Sequence, residues 1–151
     1  MRTVQNIINS KPKPNNVIRS ESLVIDALNM LNAVNLSYLI VMDGNDFKGI
    51  FSERDYTRNV ILKGRASNTT RVKDAMSTDV PKVALTDTVE ECMNMINTHK
   101  TRYLLAYEDD QFVGVVTIHD LLRQVISSRE EVFNHNLTRS MIDYDEGSRI
   151  Y

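Results

Sequence analysis

The sequence contains one pattern twice, and this repetition constrains the fold more than any other feature. Residues 24–32 (VIDALNMLN) resemble residues 89–97 (VEECMNMIN) at an offset of 65 residues. The same offset aligns KGIFSERDYTRNVI at 48–61 with VGVVTIHDLLRQVI at 113–126. Two separate blocks that agree at a single offset indicate a tandem repeat with a period of about 60 residues.

The repetition predicts three parts of the chain. We place the first repeat at 1–65, the second at 66–128 and a helical tail at 129–151. The tail has apolar residues at near-helical spacing, which favours either a helix that docks on its own domain or an arm that reaches a second protomer. Upstream, VQNII resembles VKDAM at an offset of 68, so the first copy has three extra residues around Lys11–Asn16.

The sequence pattern of each copy predicts, in chain order, a strand, a helix, two strands and a final helix. The first helix has apolar residues at helical spacing, and Ser22 and Asp87 stand where its N-cap is expected. Two apolar runs joined by turn residues then predict a hairpin in each copy, YLIVM with FKGIF and YLLAY with QFVGVV. A second helix is predicted over 53–62 and over 118–127. The fold class is therefore α+β, and two copies packed with pseudo-two-fold symmetry would bury their sheets.

Composition excludes several classes of protein. Hydrophobic residues make up 42% of the chain, charged residues make up 25%, and the formal net charge is −2. This balance argues against a protein whose main role is to coat nucleic acid or an anionic membrane. No apolar run approaches the about 20 residues that span a bilayer, and segment 1–16 lacks the apolar core of a secretory signal. The sequence predicts a cytoplasmic protein with neither a nucleic-acid nor a membrane partner.

Few residues suggest metal binding or catalysis. The chain has one cysteine, Cys92, so an intramolecular disulfide is excluded. Cys92 lies on the apolar face of a predicted helix, where a buried core residue is expected. The three histidines (His99, His119 and His135) have neither the spacing nor the clustering of metal ligands. We predict no metal site and no catalytic residue, because the sequence contains no nucleophile-elbow, zinc-protease or P-loop motif.

The most informative segments lie where each hairpin turns into the second helix. There Ser52 precedes Asp55 by three residues, and Thr117 precedes Asp120 by three residues. This spacing is typical of a capping box, which satisfies amide groups at the start of a helix. It also suits a nucleotide site, because a carboxylate accepts hydrogen bonds from a ribose diol and helix amides attract phosphate. Arg54, directly before Asp55, adds a cation that can bind phosphate oxygens.

A glycine precedes each of these motifs. Gly49 and Gly114 occupy equivalent places on predicted strands. Glycine weakens a strand, and its presence there often marks the close approach of a ligand or of another backbone segment.

The twice-repeated unit with this corner motif resembles a pair of CBS domains, the arrangement called a Bateman module. The resemblance covers residues 4–127 and is strongest for stand-alone proteins of this type. It implies a regulatory module that binds AMP, ADP, ATP, NAD or S-adenosylmethionine in clefts between the two copies. It further implies a homodimer with no required cofactor, which passes its signal to an effector protein.

The resemblance also assigns site residues. It implies that ribose and phosphate are held by Ser52, Arg54 and Asp55 in one site and by Thr117, His119 and Asp120 in the other. The base would lie against a set of apolar residues: Val17, Ile18, Ile50, Val80 and Val115. The basic residue that the family often has before the second strand is Arg102 in copy two, whereas copy one has Ser37.

The sequence departs from the family in two respects. Ile40 and Leu105 stand where the family often has proline on the second strand. His119 is a weaker phosphate partner than Arg54, because histidine is mostly neutral at pH 7. We therefore expect unequal sites, with the more highly phosphorylated ligand at Arg54 and Asp55.

Two rival functions remain open. An enzyme that hydrolyses or transfers nucleotides would need a metal-binding carboxylate cluster or a positioned base, and neither is visible in the sequence. A nucleic-acid module would use the basic residues around the connector at 63–70, namely Lys63, Arg65, Arg71 and Lys73. These cations are equally consistent with a solvated linker, or with side chains that reach a bound phosphate.

Overall fold

The computed structural model describes residues 2–128 and Met141. Apart from Met141, which is buried, the predicted tail at 129–151 lies outside the described residues. The helices and strands are, in chain order, α1 (Val4–Ser10), β1 (Val17–Ile18), α2 (Val24–Val34), β2 (Tyr38–Asp43), β3 (Asp46–Ser52), α3 (Glu53–Tyr56), β4 (Lys82–Ala84), α4 (Val89–His99), β5 (Tyr103–Glu108), β6 (Gln111–Thr117) and α5 (Ile118–Ser128).

The predicted α+β class and the order of elements in each copy are confirmed. Two three-stranded sheets are present, with the orders β1-β2-β3 and β4-β5-β6. In each sheet the first strand is parallel to the second, and the second and third form an antiparallel hairpin. Both hairpins contain a register shift at the same relative place, between Val41 and Met42 and between Ala106 and Tyr107. The repeat in the sequence is thus also a repeat in strand register.

The chain forms two compact units whose boundaries differ from those of the sequence repeats. Residues 12–80 form one of them, called here the central unit, which contains β1, β2 and β3. Residues 2–11 together with 81–128 belong to the other, called here the flanking unit. Helix α1 therefore joins the sheet of the second repeat, although it precedes the first repeat in the sequence.

Each repeat is thus packed against a linking segment that precedes the other repeat in the sequence, and backbone hydrogen bonds explain this exchange of linking segments. In the flanking unit, the N–H groups of Val4 and Gln5 in α1 donate to Asp87 O (2.9 Å) and Leu85 O (3.0 Å). In the central unit, a 3₁₀ turn at Val72–Asp74 takes the matching place, and its first N–H donates to Ser22 O at 2.8 Å. Each segment also buries apolar side chains in the core of the unit it joins.

Each unit has its own apolar core. In the central unit α2 packs on the sheet through residues that include Val24, Leu39 and Phe51. In the flanking unit the core contains Cys92, which is completely buried as predicted. Burial raises the pKa of the Cys92 thiol to about 12, which makes it a packing residue rather than a nucleophile.

The predicted N-caps are wrong by one residue in both copies. The N-caps are Leu23 and Thr88, and the Thr88 hydroxyl accepts a hydrogen bond from Glu91 N at 3.1 Å. Asp87 instead closes the preceding turn, where its carboxylate accepts from Ala84 N at 2.8 Å. Leu23 needs no polar side chain, because carbonyl groups of the connector accept the first free N–H groups of α2.

The helices that follow the two hairpins differ. Helix α5 agrees with the predicted helix at 118–127, whereas α3 ends at Tyr56 and continues as a π-helical turn over Thr57–Ile61. The N–H of Leu62 donates to Thr57 O at 3.0 Å, which is the i to i−5 bond of a π-helix. Among residues 2–128 the structure contains no helix of the length and apolarity needed to cross a membrane.

Candidate functional site

The first corner lies in the central unit, where β3 ends and α3 begins. The Ser52 hydroxyl accepts a hydrogen bond from Asp55 N at 3.2 Å, and Asp55 Oδ2 accepts from Ser52 N and Ser52 Oγ, both at 2.9 Å. This reciprocal pair is the predicted capping box. The first N–H of α3 donates to Ser37 O at 3.2 Å, so the residue before β2 helps to fix the corner.

The second corner repeats this geometry in the flanking unit. Asp120 Oδ2 accepts from Thr117 N at 2.9 Å, and Thr117 Oγ1 accepts from Asp120 N at 3.1 Å. The N–H of Ile118 donates to Arg102 O at 3.0 Å, which matches the role of Ser37 in the first corner. The predicted pairs of hydroxyl and carboxylate are therefore brought together in both units.

The two carboxylates are buried to a similar degree but have different partners. Asp55 is 7% exposed, and its second oxygen, Oδ1, accepts a hydrogen bond from Ser77 Oγ at 2.6 Å. Burial raises the pKa of Asp55, and the hydrogen bonds from Ser77 and Ser52 oppose this shift without reversing it. The first corner thus holds a carboxyl group whose contacts are with neutral donors.

Asp120 lies in a cationic environment. It is 4% exposed, and its oxygens contact Lys11 Nζ at 2.8 Å and Arg123 Nη2 at 2.6 Å. Burial by itself raises the pKa of Asp120, but the charge and hydrogen bond of Lys11, together with the bonds from Thr117, lower it below its usual value. The second corner thus holds an ionised carboxylate with two cationic partners.

The π-helical turn accounts for part of this difference. Arg123 lies one turn after Asp120 on the regular helix α5 and contacts it directly. Arg58 is the equivalent residue at an offset of 65, but it lies within the π-helical turn Thr57–Ile61. Its charge is the smallest of the main influences on the pKa of Asp55. A π-helical turn has more residues per turn than an α-helix, so side chains three positions apart point in different directions from those on α5. Arg58 and Asp55 therefore do not form the close ion pair that Arg123 and Asp120 form.

The residues predicted to contact the base are divided between the two faces of the sheet. Strand register places Val17 beside Ile40 and Ile40 beside Ile50, so these three residues share one face, which Ser52 also shares. Ile18 packs in the apolar core on the opposite face and is not brought to the corner. In the flanking unit Val115 shares a face with Thr117 in the same way, and in the central unit Val80 is half-buried in the loop before β4.

The remaining predicted cations are placed as follows. Arg54 and His119 are half-buried beside their carboxylates in the chain. In the connector, Arg65 donates to Asp74 O at 2.9 Å and Arg71 to Glu21 O at 2.8 Å. Lys73 contacts the carboxylate of Glu21 at 2.7 Å. These three connector cations bind acceptors of their own unit, which favours the structural interpretation of the connector over a nucleic-acid surface.

Three residues that touch the corners were not assigned to them from sequence: Ser77, Lys11 and Arg123. Arg123 had a signal, because it aligns with Arg58 and lies three residues after Asp120. Lys11 and Ser77 are far from the motifs in sequence and reach them only through the exchange of linking segments. Within the described part of the chain, no group of three or more histidine, cysteine, aspartate or glutamate residues could hold a metal ion.

Comparison with known proteins decides the family. A family model for the CBS domain matches residues 4–61 and 72–127, which are the two copies of the repeat. The chain belongs to the CBS-domain family. The resemblance inferred from the corner motif is thereby confirmed, and the two copies of the repeat are a pair of CBS domains.

Individual CBS-domain proteins are similar over most of the chain. A structure of a protein with CBS domains from Burkholderia ambifaria MC40-6 is 32% identical, with a TM-score of 0.76, and the match covers 87% of this chain and 99% of that one. The mitochondrial CBS domain-containing protein CBSX3 of Arabidopsis thaliana is 27% identical over 74% of this chain, which spans 57% of that protein. The structure of CBSX2 in complex with AMP has the same fold, with a TM-score of 0.72 at 23% identity, over 86% of this chain and 100% of that one.

Proposed function

We propose that this CBS-domain pair is a regulatory module that binds an adenosyl nucleotide at its two corners and catalyses no reaction. The ligand classes are AMP, ADP, ATP, NAD and S-adenosylmethionine. In the first corner Ser52 and Asp55 would hold the ribose and Arg54 the phosphate. In the second corner Thr117, Asp120 and His119 would have the same roles.

The observation that carries this proposal is a buried carboxylate beside a hydroxyl at the end of a strand, formed in both units. In the first corner, two of the three groups that donate to Asp55 are the serine hydroxyls of Ser52 and Ser77. A hydroxyl can rotate and act as donor or acceptor, so it can give up this contact to a ribose hydroxyl and accept from another. The corner can therefore exchange its internal hydrogen bonds for a diol at little cost.

The apolar face beside each corner suits an adenine ring. Val17, Ile40 and Ile50 form a row on the face that also carries Ser52; Ile40 and Ile50 are buried, and Val17, which is 39% exposed, is the member that a ring can reach. Small-molecule sites commonly combine apolar walls with a few polar groups that fix orientation. The AMP complex of CBSX2, a protein with the same fold, supports AMP as the first ligand to test.

A regulatory module acts through a partner that responds to its conformation. A ligand shifts a conformational equilibrium only by its different affinity for the two states, so a partner must recognise one of those states. We propose an effector protein and a homodimer as these partners. Exposed apolar residues near the helix ends, Ile61 and Leu62 in one unit and Ile126 in the other, support association with another surface. The predicted cytoplasmic location stays a prediction.

Calorimetric titration tests the binding proposal. AMP, ATP, NAD and S-adenosylmethionine are titrated separately into the wild-type protein, Asp55→Ala and Asp120→Ala. We expect binding of at least one compound, and we expect the first corner to lose it in Asp55→Ala. Asp26→Ala is the matched control, because Asp26 is an exposed aspartate in the same unit as Asp55 and should bind as the wild type does. Flat titrations with all four compounds, or equal binding by Asp55→Ala and the wild type, would contradict the proposal.

Two further measurements test the remaining parts. Native mass spectrometry of freshly purified protein reports dimer mass and any nucleotide that co-purifies. Incubation with ATP and magnesium, followed by product analysis, tests the non-catalytic role, and the appearance of ADP or AMP above a protein-free control would contradict it.

A further inference from the structure

At each corner, one residue from a distant segment contacts both a backbone carbonyl of the strand and the carboxylate of the motif. These acceptors are Ile50 O and Asp55 in the central unit, and Val115 O and Asp120 in the flanking unit. In the central unit that residue is Ser77. Its N–H donates to Ile50 O at 2.8 Å, and its Oγ donates to Asp55 Oδ1 at 2.6 Å. One serine thus covers both acceptors with two neutral donors.

In the flanking unit a lysine makes both contacts. Lys11 Nζ donates to Val115 O and to Asp120 Oδ2, each at 2.8 Å. Val115 and Asp120 are equivalent to Ile50 and Asp55 at the offset of 65 residues.

Lys11 thus takes over the carbonyl contact of Ser77, but it binds Oδ2, the carboxylate oxygen that also accepts from Thr117 N. The other oxygen, which Ser77 binds in the central unit, is bound by Arg123 in the flanking unit. This replacement changes what a ribose must displace. At Asp120, one oxygen already accepts from Thr117 N and Lys11, and the other accepts from Arg123. Hydrogen bonds between two charged groups are about twice as strong as neutral ones, so Lys11 competes with a neutral diol far better than a serine hydroxyl does.

We propose that Lys11 determines the ligand preference of the flanking corner by occupying Asp120 as a built-in competitor of the ribose diol. The first corner, where serine hydroxyls rather than a lysine contact the carboxylate, then fills at lower ligand concentration. This inference rests on the proposed function, and it names the residue that makes the two sites unequal.

The choice of ligand decides whether competition can be observed. The Lys11 side chain is 27% exposed, so after displacement its ammonium group remains hydrated and near the corner. A phosphorylated ligand would then be attracted by the same charge that opposes its ribose. Adenosine has the diol but no phosphate, and it therefore isolates the competition at Asp120.

The test is an NMR titration of ¹⁵N-labelled protein with adenosine. The amide of Ser52 reports on the first corner and the amide of Thr117 on the second, because each donates to the carboxylate of its corner at 2.9 Å. In the wild type we expect tighter binding at Ser52. In Lys11→Ser we expect the affinity at Thr117 to rise about tenfold, the order of effect of one hydrogen bond to a charged group. The affinity at Ser52 should not change.

Three controls sharpen the result. Lys11→Arg keeps the charge and should retain the weak second corner, whereas Lys13→Ser removes an exposed cation two residues further along the chain and should behave as the wild type. 2′-Deoxyadenosine has no diol, so the gain in Lys11→Ser should be absent with it. Lys11→Gln, which keeps a longer side chain, is used in addition if the spectrum of Lys11→Ser shows loss of folded structure.

The outcomes separate this inference from the proposed function. Equal wild-type affinities at the two corners, or an affinity at Thr117 that is unchanged or lower in Lys11→Ser, would overturn the role of Lys11 while nucleotide binding stands. Loss of AMP binding without a change in adenosine binding would make Lys11 a phosphate contact and also overturn the inference. If the wild type binds no adenosyl compound at either reporter, the proposed function itself fails.

Discussion

The corner of the central unit and the corner of the flanking unit share one motif, but the pKa of the carboxylate is shifted in opposite directions. Burial raises the pKa of Asp55, which contacts neutral donors, whereas Lys11 lowers the pKa of Asp120, which contacts two cations. The local hydrogen bonds of the two capping boxes are nearly the same. The difference shows that partners outside the motif, Lys11 above all, decide the direction in which the pKa of a buried corner carboxylate is shifted.

The largest expected effect is on stability when each carboxylate is removed. Asp120→Ala leaves Lys11 and Arg123 without their common anion and removes the capping-box hydrogen bond from Thr117 N, so we expect the free energy of unfolding to fall by about 3 kcal/mol. Asp55→Ala also loses the capping-box hydrogen bond from Ser52 N but removes a desolvated carboxyl group, so its loss should be about 1 kcal/mol. Urea denaturation measures both values. Equal losses would remove the proposed contrast between the corners.

The equivalent glycines give the second comparison. A Cβ at Gly49 would lie 2.6 Å from the backbone oxygen of Ser77, whereas a Cβ at Gly114 would meet the flexible end of Ile8 at 2.9 Å. We expect Gly49→Ala to lower the free energy of unfolding by about 2 kcal/mol and Gly114→Ala by less than about 1 kcal/mol, because a side chain yields more easily than a backbone. Denaturation curves of the two variants measured together test this order, and a larger loss in Gly114→Ala would contradict it.

The dependence of stability on pH gives a third comparison, with asparagine at each position. The pKa of Asp120 is lowered by folding, so its contribution is present above its unfolded-state pKa and is lost as the pH falls through its folded-state pKa. The pKa of Asp55 is raised, so its contribution is present at low pH and is lost as the pH rises through its folded-state pKa.

These signs predict opposite trends. As the pH falls from about 7 to about 3, the destabilisation caused by Asp120→Asn should shrink. Over the same range, the free energy of unfolding of Asp55→Asn should fall relative to that of the wild type. Denaturant titrations at several pH values measure both trends. Parallel trends in the two variants would show that the carboxylates share one environment.

The smallest effect concerns the first helices of the two copies. The hydroxyl of Thr88 caps α4, whereas Leu23, which begins α2, makes no such side-chain bond. Thr88→Ala should lower the free energy of unfolding by about 1 kcal/mol. The exposed Thr86 provides the control, since Thr86→Ala should change it little. A negligible loss in Thr88→Ala would mean that hydrogen bonds to backbone carbonyls are enough to cap α4, as they are for α2.

Much of the fold could be predicted from the sequence, because its signals are local. Apolar periodicity and turn residues placed the strands and helices of both copies, and the offset of 65 identified the paired corners. The caps at Ser22 and Asp87 were predicted wrongly because neighbouring polar residues compete for the same role and only the backbone path decides between them. The π-helical turn had no signal, since its residues resemble those of the regular helix α5.

The composition of the site could be predicted only in part. Ser52, Asp55, Thr117 and Asp120 lie where the motif put them, but Ile18 faces the core because strand register turned its side chain away. Arg123 lies three residues after Asp120, but Ser77 and Lys11 reach the carboxylates only because each unit takes a linking segment from elsewhere in the chain. No pattern near the motifs indicated these segments.

The sequence by itself determined the duplication, the order of elements and the chemistry offered at each corner, because these depend on neighbours within a few residues. Tertiary structure alone decided that Asp55 meets a serine 22 residues away and Asp120 a lysine 109 residues away. The reason is that the packing of α1 and of the turn at Val72–Asp74 carries these side chains to the sheets. Electrostatic interaction follows distance in space, whatever the separation along the chain.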